Sequence, residues 1–360
     1  MKKSKKRCLI WSSAIADLLE EKKIIGGFST QLNFWGDIFH DNNWEMHTLY
    51  NDKIILKKSH YIFHKELNTT FLLFPLYWIF SLFLILKINP QLVITRGGKN
   101  RNILPISIFC RIFMIKHIHF MGSDKDLTTE YMNLKDKLNI ILFKAGLKFV
   151  KHIVVQNDFQ KGEVNKKISN RETLKIPNIW PSKQDNEKSM TEDLILWVGN
   201  IKSLKQPSLF IDIARKLPMY QFIMIGGNQD QLLYEKCCKY SEALSNFTFL
   251  GPIKFSQIDK FYKKAKILVC TSEYEGFPNT FLQMWSHNHP VISTVDPSNV
   301  ITEFGLGYKC INLNEFILKI SSFMRDEKLY KKTQTNIELY FSKAHESQYH
   351  YDRLLSFFDC

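Results

Sequence analysis

The sequence predicts an α/β protein with two doubly wound domains, on three observations. Short apolar runs alternate with amphipathic segments in both halves of the chain, a pattern typical of strand–helix–strand units in parallel sheets. Residues 263–294 hold one such unit in full, with strands at 267–270 and 290–294. The length of 360 residues exceeds what one hydrophobic core usually supports, so we expect two domains.

The loop inside the 263–294 unit is the first candidate site. Open α/β sheets bind ligands at the carboxyl ends of their strands, and Glu275 lies there. Pro278 suits a first helical position, which places the amides of Asn279 and Thr280 in the first turn, where they can bind a phosphate. The alternative is an ordinary helix start that carries polar residues.

The charge of the chain is concentrated in its N-terminal part. Of the net +14, residues 1–150 hold 22 Lys/Arg and 12 Asp/Glu, a net of +10, and the remaining 27 and 23 give +4. A basic N-terminal half fits an anionic partner such as a membrane surface, a pyrophosphate-bearing acceptor or nucleic acid. A basic surface that only aids solubility is the alternative.

The cysteine pattern argues against disulfides and zinc. Seven cysteines show no C-x-x-C spacing, their number is odd, and several lie in apolar runs. We therefore expect buried, reduced thiols in a cytosolic protein. The basic start MKKSKKR resembles that of a signal peptide, but the apolar stretch after it is too short and soon contains acidic residues.

The first elements of the chain are a strand at 8–11, a turn, a helix and a strand at 43–50. Gly26 and Gly27 permit a tight backbone turn before the helix, which should start near Ser29. A plain turn is the alternative to a ligand-binding role, because a glycine pair alone is a weak signal.

Residues 67–86 are free of charge and largely apolar. A membrane-spanning helix needs about 20 predominantly apolar residues, and this run begins with polar residues and contains Pro75. An interfacial helix, a buried core helix and a true span remain open. Lys and Arg side chains beside the apolar faces of the following segments fit a protein resting on an anionic bilayer.

Two further loops of the N-terminal half follow strands at 92–95 and 118–121. Both should open on the ligand-binding edge of a doubly wound sheet. They contain Arg96, Ser123 and Asp124. Asp124 and Asp126 match a D-x-D metal motif only superficially, since such pairs are common in loops, and we predict no metal site.

A polar, Pro- and Ser-containing segment places the domain boundary near 182–192. The second domain opens with a strand at 194–198, a loop that includes Lys205, and a helix from Pro207. Further strands are expected at 222–225 and 247–250, with helices at 258–266, 313–324, 328–341 and 345–358. Residues 295–307 are predicted to be a loop.

The stretch EGFPNTFLQMWSHNHPVIST resembles the donor-site signature of glycosyltransferase family 4, and the segment around Lys205 resembles a second motif of that family at the expected distance upstream. The resemblance implies the GT-B fold, in which two Rossmann-like doubly wound domains face a cleft. It implies an acceptor-side domain at 1–185, a nucleotide-sugar domain at 190–342, and a helix at 343–360 that packs back toward the N-terminal domain.

The resemblance also assigns roles to residues of this sequence. It implies that Glu275 is catalytic and that Lys205 pairs with the donor phosphates. Asn200 replaces the arginine of the family motif, which removes one positive charge that Lys202 can supply instead. Gln283 replaces the second glutamate of the family motif. The other donor-binding candidates are Gly199, Gly276, Phe277, Pro278, Asn279 and Thr280. The N-terminal candidates near the cleft are Gly26, Gly27, Arg96, Ser123 and Asp124.

The function implied is a retaining, metal-independent transfer of a sugar from a nucleotide-sugar donor to a polysaccharide or a lipid-linked oligosaccharide, without a cofactor, at the inner face of the plasma membrane. We expect peripheral contact with an anionic membrane and no nucleic-acid partner. The alternatives are a non-catalytic nucleotide-sugar or membrane-binding protein that kept the fold, and a GT-B sugar-nucleotide epimerase.

Overall fold

A computed structural model describes residues 5–20, 27–51, 59–67, 74–98, 100–127, 134–168, 171–181 and 192–359. The chain divides into two compact units. One comprises Met1–Ile179 together with Ser347–Cys360, and the other comprises Trp180–Glu346. The predicted linker at 182–192 lies almost wholly outside the described residues.

The N-terminal unit is built on a seven-stranded parallel sheet with connecting helices. Its strands are β1 (Lys6–Ile10), β2 (Trp44–Tyr50), β3 (Tyr61–Lys65), β4 (Leu92–Arg96), β5 (Lys116–Phe120), β6 (His152–Val155) and β7 (Glu172–Lys175). Its connecting helices are α1 (Ala14–Leu19), α2 (Gly27–Asp41), α3 (Phe74–Ile88), α4 (Ile103–Ile112), α5 (Leu134–Leu147) and α6 (Asp158–Ile168). The strand order is β3-β2-β1-β4-β5-β6-β7, that of a doubly wound sheet.

The C-terminal unit repeats this architecture with six parallel strands. Its strands are β8 (Glu192–Val198), β9 (Gln221–Ile225), β10 (Phe247–Phe249), β11 (Ala265–Cys270), β12 (Val291–Ser293) and β13 (Gly307–Lys309). Its helices are α7 (Pro207–Lys216), α8 (Gln231–Ala243), α9 (Phe255–Lys264), α10 (Asn279–Trp285), α11 (Val300–Phe304), α12 (Leu313–Arg325) and α13 (Glu327–Ala344). The order β10-β9-β8-β11-β12-β13 matches that of the classical dinucleotide-binding sheet.

The last helix, α14 (Ser347–Asp359), belongs to the N-terminal unit although it follows the C-terminal one in sequence. It contributes Tyr351, Leu354 and Phe358 to the buried cluster beside β1 and β4. The Trp44 indole donates a hydrogen bond to the Tyr351 hydroxyl at 3.0 Å. Apolar burial and one buried polar contact thus hold the end of the chain to the first unit.

Several predicted boundaries were wrong. Residues 295–307 are not a plain loop, because they include α11 and the start of β13. The helix predicted at 258–266 ends at Lys264, since Ala265 already pairs in β11. The N-terminal helix begins at Gly27 and not near Ser29. These elements are short or begin with residues that signal a turn, so local pattern alone did not reveal them.

The apolar run at 67–86 forms most of α3, and residues 68–73 lie outside the description. One face of α3 packs Tyr77, Leu84 and Ile88 into the core, while the other is exposed. Within the described ranges, no helix has both the length and the apolar character that crossing a membrane requires. The cysteines of the described part of the chain are free thiols, and five of them are buried.

Candidate active site

The site predicted around Glu275 lies where the strand order of the C-terminal sheet reverses. β8 and β11 are neighbours, and the strands that follow each of them extend the sheet in opposite directions. The loops leaving such a pair of strands diverge, so the carboxyl ends of the two strands are where ligands bind in this type of sheet. Residues 199–206 follow β8, and residues 271–278 follow β11.

Two side chains from these loops form an ion pair. Lys205 Nζ donates to Glu275 Oε1, and the two side chains are only 21% and 18% exposed. Each carries a full charge on a short, half-buried loop, and each neutralises the other. The ion pair therefore brings together the two residues that the sequence marked as the central functional candidates.

The backbone holds the same two loops together. The Thr271 hydroxyl donates to the Lys205 carbonyl at 2.6 Å and accepts a hydrogen bond from the Trp197 indole at 2.9 Å. The Glu273 amide donates to the Leu204 carbonyl at 3.0 Å. The positions of the ammonium and the carboxylate are thus fixed by the fold and not only by their attraction.

A second lysine stands near the ion pair. Burial lowers the pKa of Lys202, the positive charge of Lys205 lowers it further, and Glu275 raises it. Burial also disfavours the charged form of Lys205, but the bond to Glu275 outweighs this and raises the pKa of Lys205. The loop after β8 therefore brings two lysines close to the carboxylate of Glu275.

The glycines of the loops let two turns pack closely. A Cβ at Gly226, in the loop after β9, would lie 2.0 Å from the Gly199 carbonyl oxygen. Ile201 and Asn228 form a bridge between the same two loops. Gly199 and Asn200 are half-buried at this point. The loop that carries Lys205 is therefore held on one side by β9 and on the other by β11.

The start of α10 differs from the prediction at one position. Pro278 has φ −66° and ψ 126°, an extended conformation, and lies just before the helix, so Asn279 and not Pro278 is the first helical residue. Phe281, Leu282 and Trp285 of this helix are buried. The candidates here divide by burial, with Gly276, Phe277, Pro278 and Gln283 buried and Glu275, Asn279 and Thr280 half-buried.

The N-terminal candidates lie at the carboxyl ends of strands in their own unit. Arg96 is the last residue of β4, and Ser123 and Asp124 follow β5. Gly27 is the first residue of α2, and the ring of the next residue, Phe28, stacks 5.9 Å from the Arg96 guanidinium. Gly26 lies outside the described residues. Phe28, the residue after Gly27, is therefore a neighbour of Arg96.

Both acids of the D-x-D pair are hydrogen-bonded within the N-terminal unit. Asp124 accepts from the Asn157 and Gln160 side chains at 2.9 and 3.0 Å. Asp126 accepts from the amides of Gly122 and Ser123 at 2.6 and 3.0 Å. These contacts stabilise the loop after β5. Among the described residues, no group of three or more potential ligands is arranged to hold a metal ion.

Sequence reasoning missed Thr271, Phe28 and Asn178. Thr271 follows the last residue of β11, and its position at a strand end could have identified it. Nothing local distinguishes Phe28 from an ordinary helix residue. Asn178 accepts a hydrogen bond from Arg96, 82 residues earlier, so only the fold reveals its role.

Comparisons with known sequences agree with this architecture. Residues 178–339 match the family described as glycosyl transferases group 1. An uncharacterized glycosyltransferase, MJ1059 of Methanocaldococcus jannaschii, is 27% identical in an alignment of 255 residues, and the match covers 61% of each chain. The amylovoran biosynthesis glycosyltransferase AmsD of Erwinia amylovora is 21% identical over 217 residues, 54% of this chain and 61% of that one. The chain thus spans about three fifths of the length of these relatives.

Solved structures share the fold at low identity. Sucrose-phosphate synthase from Thermosynechococcus elongatus matches with a TM-score of 0.75 and 14% identity over 98% of this chain and 99% of that one. The lipopolysaccharide outer core galactosyltransferase WaaB, in its apo form, matches at 0.65 and 17% over 98% and 99%. TarM of S. aureus, solved with UDP, matches at 0.64 and 15% over 79% of this chain and 59% of that one.

Two parallel Rossmann-like sheets with these matches define an α/β protein of the GT-B class. Within that class, residues 178–339, less than half of the chain, are similar to the family of glycosyl transferases group 1.

Proposed function

We propose that the protein is a retaining glycosyltransferase that moves a sugar from a nucleotide-sugar donor to a polysaccharide or a lipid-linked oligosaccharide, without a metal ion. The observation that carries the proposal is the Lys205–Glu275 ion pair at the reversal point of the C-terminal sheet. The names of the relatives support it, since both are glycosyltransferases and one is named for the biosynthesis of a polysaccharide.

The leaving group sets the first chemical requirement. When the bond from sugar to nucleotide breaks, a diphosphate leaves with growing negative charge while the sugar becomes oxocarbenium-like. Lys205, with Lys202 beside it, supplies fixed positive charge on a loop that the fold holds in place. Phosphate oxygens accept hydrogen bonds from an ammonium as a carboxylate does, so a donor diphosphate can take the place of Glu275 beside Lys205.

The released carboxylate meets the second requirement. Once Lys205 pairs with the diphosphate, Glu275 can accept hydrogen bonds from sugar hydroxyls and stabilise positive charge near the anomeric carbon. Gln283, at the position of the family's second glutamate, can still donate to and accept from a ribose. Gly199, Asn200, Gly276, Phe277, Pro278, Asn279 and Thr280 complete the proposed donor site.

The acceptor is assigned to the N-terminal unit, on the basis of its charge. That part of the chain holds most of the net positive charge, and Gly27, Arg96, Ser123 and Asp124 lie at the carboxyl edge of its sheet. An acceptor carried on a lipid would bring the protein to an anionic membrane surface.

One face of the N-terminal unit supports peripheral membrane contact. Leu76, Ile79, Phe83 and Leu86 of α3 are 46%, 67%, 59% and 57% exposed. Trp78 and Phe109 stack 5.8 Å apart, which places α4 beside α3, and Ile112, Phe113 and Met114 at the end of α4 are exposed as well. We call these seven residues the apolar face. Arg111 and Lys116 flank it and can reach lipid phosphates.

A thermal-shift screen against UDP-, GDP-, ADP- and CDP-sugars, with and without EDTA, tests the proposal. We expect one nucleotide class to raise the melting temperature, EDTA to leave the shift unchanged, and Lys205→Ala to remove it. Radiolabelled transfer to membrane extracts then separates a transferase from a binding protein, and conversion of free donor would identify an epimerase. A shift that persists in Lys205→Ala would contradict the proposed donor site.

A further inference from the structure

Arg96 lies at the reversal point of the N-terminal sheet. β1 and β4 are neighbours there, and the sheet extends in opposite directions from them. Arg96 ends β4, so it occupies the same place in its sheet as the loop of Glu275 does in the other. The carboxyl end of this strand is where a doubly wound sheet binds a ligand.

The guanidinium of Arg96 uses little of its hydrogen-bonding capacity. Nη2 donates to Asn178 Oδ1 at 3.1 Å, whereas Nε is buried and has no partner within the described part of the chain. A guanidinium has five N–H donors in a planar fork, and Nη2 can also donate to the Gln156 side-chain oxygen at 3.0 Å when that amide is turned over, so the donors of Nε and Nη1 remain. A buried donor left unpaired is costly, and such a group calls for an explanation.

The charge of Arg96 is also poorly compensated. Ion pairs among the described residues do not include Arg96. Burial lowers the pKa of Arg96 to about 10, and the charge of Asp126 only partly offsets this. Asp126 itself accepts hydrogen bonds from two backbone amides. The nearby His117 and His119 are neutral, with pKa values lowered by burial to about 3, so neither adds charge.

The surroundings of Arg96 favour an anion. The 15-residue helix α2 begins beside it, with Phe28 over the guanidinium and no acidic residue in the first turn. The amino end of a helix carries partial positive charge. Gly97 has φ +90°, and a Cβ there would lie 3.0 Å from the Phe28 ring, so the backbone passes close under the ring. The guanidinium of Arg96 and the partial positive charge at the amino end of α2 therefore meet at one edge of the sheet.

We propose that Arg96 binds a phosphate group of the acceptor, a phosphate or diphosphate that links the growing glycan to its carrier. A guanidinium can donate hydrogen bonds to two phosphate oxygens at once, and the partial positive charge at the amino end of α2 attracts the phosphate as well. The assignment of this phosphate to the acceptor rests on the proposed function, but the anion site itself does not. The residues of the anion site all belong to the N-terminal unit.

Calorimetric titration of the full chain with inorganic pyrophosphate tests the site. Lys205→Ala is used as the background, because pyrophosphate can also bind the proposed donor site. We expect Lys205→Ala to bind pyrophosphate and the added Arg96→Gln to weaken binding at least tenfold. Arg325→Gln, which removes an exposed arginine of the C-terminal unit, is the control and should change affinity less than twofold. Absence of pyrophosphate binding in Lys205→Ala would overturn the proposal.

Labelling the unsubstituted chain with phenylglyoxal keeps the test independent of how well Arg96→Gln folds. Pyrophosphate should slow modification of Arg96 at least fivefold, measured by peptide mass spectrometry, and leave the exposed Arg325 unaffected. Equal rates for Arg96 with and without pyrophosphate would refute the site. Farnesyl diphosphate distinguishes a lipid-linked phosphate from a free one. If the natural ligand is lipid-linked, farnesyl diphosphate should protect Arg96 at a concentration tenfold lower than pyrophosphate does. If the site binds a free anion, the two compounds should protect Arg96 at equal concentrations.

Failure here is distinguishable from failure of the proposed function. The nucleotide-sugar screen depends on Lys205 in the C-terminal unit, whereas the pyrophosphate titration is done without that lysine. A protein that binds nucleotide sugars but not pyrophosphate at Arg96 would keep its proposed donor site and lose this acceptor subsite.

Discussion

Lys205 and Glu275 are 70 residues apart in sequence, and their side chains form an ion pair. Each follows a strand, and those two strands, β8 and β11, are adjacent at the reversal point of the sheet. The contact therefore arises from topology and not from local sequence. It places a cation and an anion side by side, and in the proposed function a donor diphosphate replaces the anion beside Lys205.

The first prediction concerns catalysis. Glu275→Gln should lower sugar transfer at least about 100-fold, the effect typical of losing one electrostatic stabiliser of a transition state. Donor binding should survive, because Lys205 keeps its charge. Gln283→Glu should retain activity, since either side chain can accept a hydrogen bond from a ribose. Transfer rates and donor affinities of the two variants are the measurements, and equal rates for Glu275→Gln and the unsubstituted chain would refute the role of Glu275.

The second prediction concerns stability of the ion pair. Lys205→Met and Glu275→Gln each leave a half-buried charge without its partner and should lower the free energy of unfolding by about 1–3 kcal/mol. The double variant should lose less than the sum of the two, because no charge is then stranded. Urea denaturation of the four proteins measures the coupling. Strict additivity would show that the two side chains do not interact in solution.

Sequence patterns predicted the two sheets, and the loops in which Lys205 and Glu275 lie, for identifiable reasons. The strands beside the site are unbroken apolar runs, and Lys205 and Glu275 lie in loops directly after them, where doubly wound sheets bind ligands. β13 has only three residues and begins with Gly307, so its pairing to β12 has no local signal. The contact of Arg96 with Asn178 depends on pairing across four strands, which no local pattern encodes.

The third prediction compares two glycines. Gly226→Ala would place a Cβ 2.0 Å from the Gly199 carbonyl oxygen, which is backbone and cannot rotate away. The loop that carries Lys205 must then shift, so we expect a lower melting temperature and donor affinity reduced at least about tenfold, as misplacement by an ångström can cost more. Gly162→Ala in α6 is the control, because nothing lies within 4 Å of its Cβ and alanine favours a helix by up to about 1 kcal/mol. Unchanged donor affinity in Gly226→Ala would show that the contact between the two turns is not needed.

The fourth prediction concerns the apolar face. Ile79→Ser together with Phe83→Ser should reduce co-sedimentation with phosphatidylglycerol vesicles, since each exposed side chain that enters the interface contributes apolar burial. Burying one such side chain contributes roughly 1.5–3 kcal/mol, so we expect the partition coefficient to fall at least about tenfold. Leu232→Ser is the control, because Leu232 is 80% exposed on α8 of the other unit. An equal loss in the control would assign the binding to general hydrophobicity.

The last prediction concerns acid stability and two buried histidines. His117 Nε2 and His119 Nδ1 both bond the Thr95 hydroxyl at 2.9 Å, and both rings are almost fully buried. Burial lowers both pKa values from 6.5 to about 3. Between these values the unfolded chain binds more protons than the folded one, so stability rises with pH across this window and is lost as pH falls.

Each histidine should contribute a slope of up to about 1.4 kcal/mol per pH unit between pH 6 and 4. His117→Gln keeps a hydrogen-bond partner for Thr95 but cannot take up a proton. The slope of unfolding free energy against pH should therefore fall by the contribution of one histidine. Urea midpoints at several pH values measure this. His40→Gln is the control, because His40 is 38% exposed. A slope unchanged in His117→Gln would mean that the ring is not kept neutral by burial, because only a group protonated differently in the two states changes stability with pH.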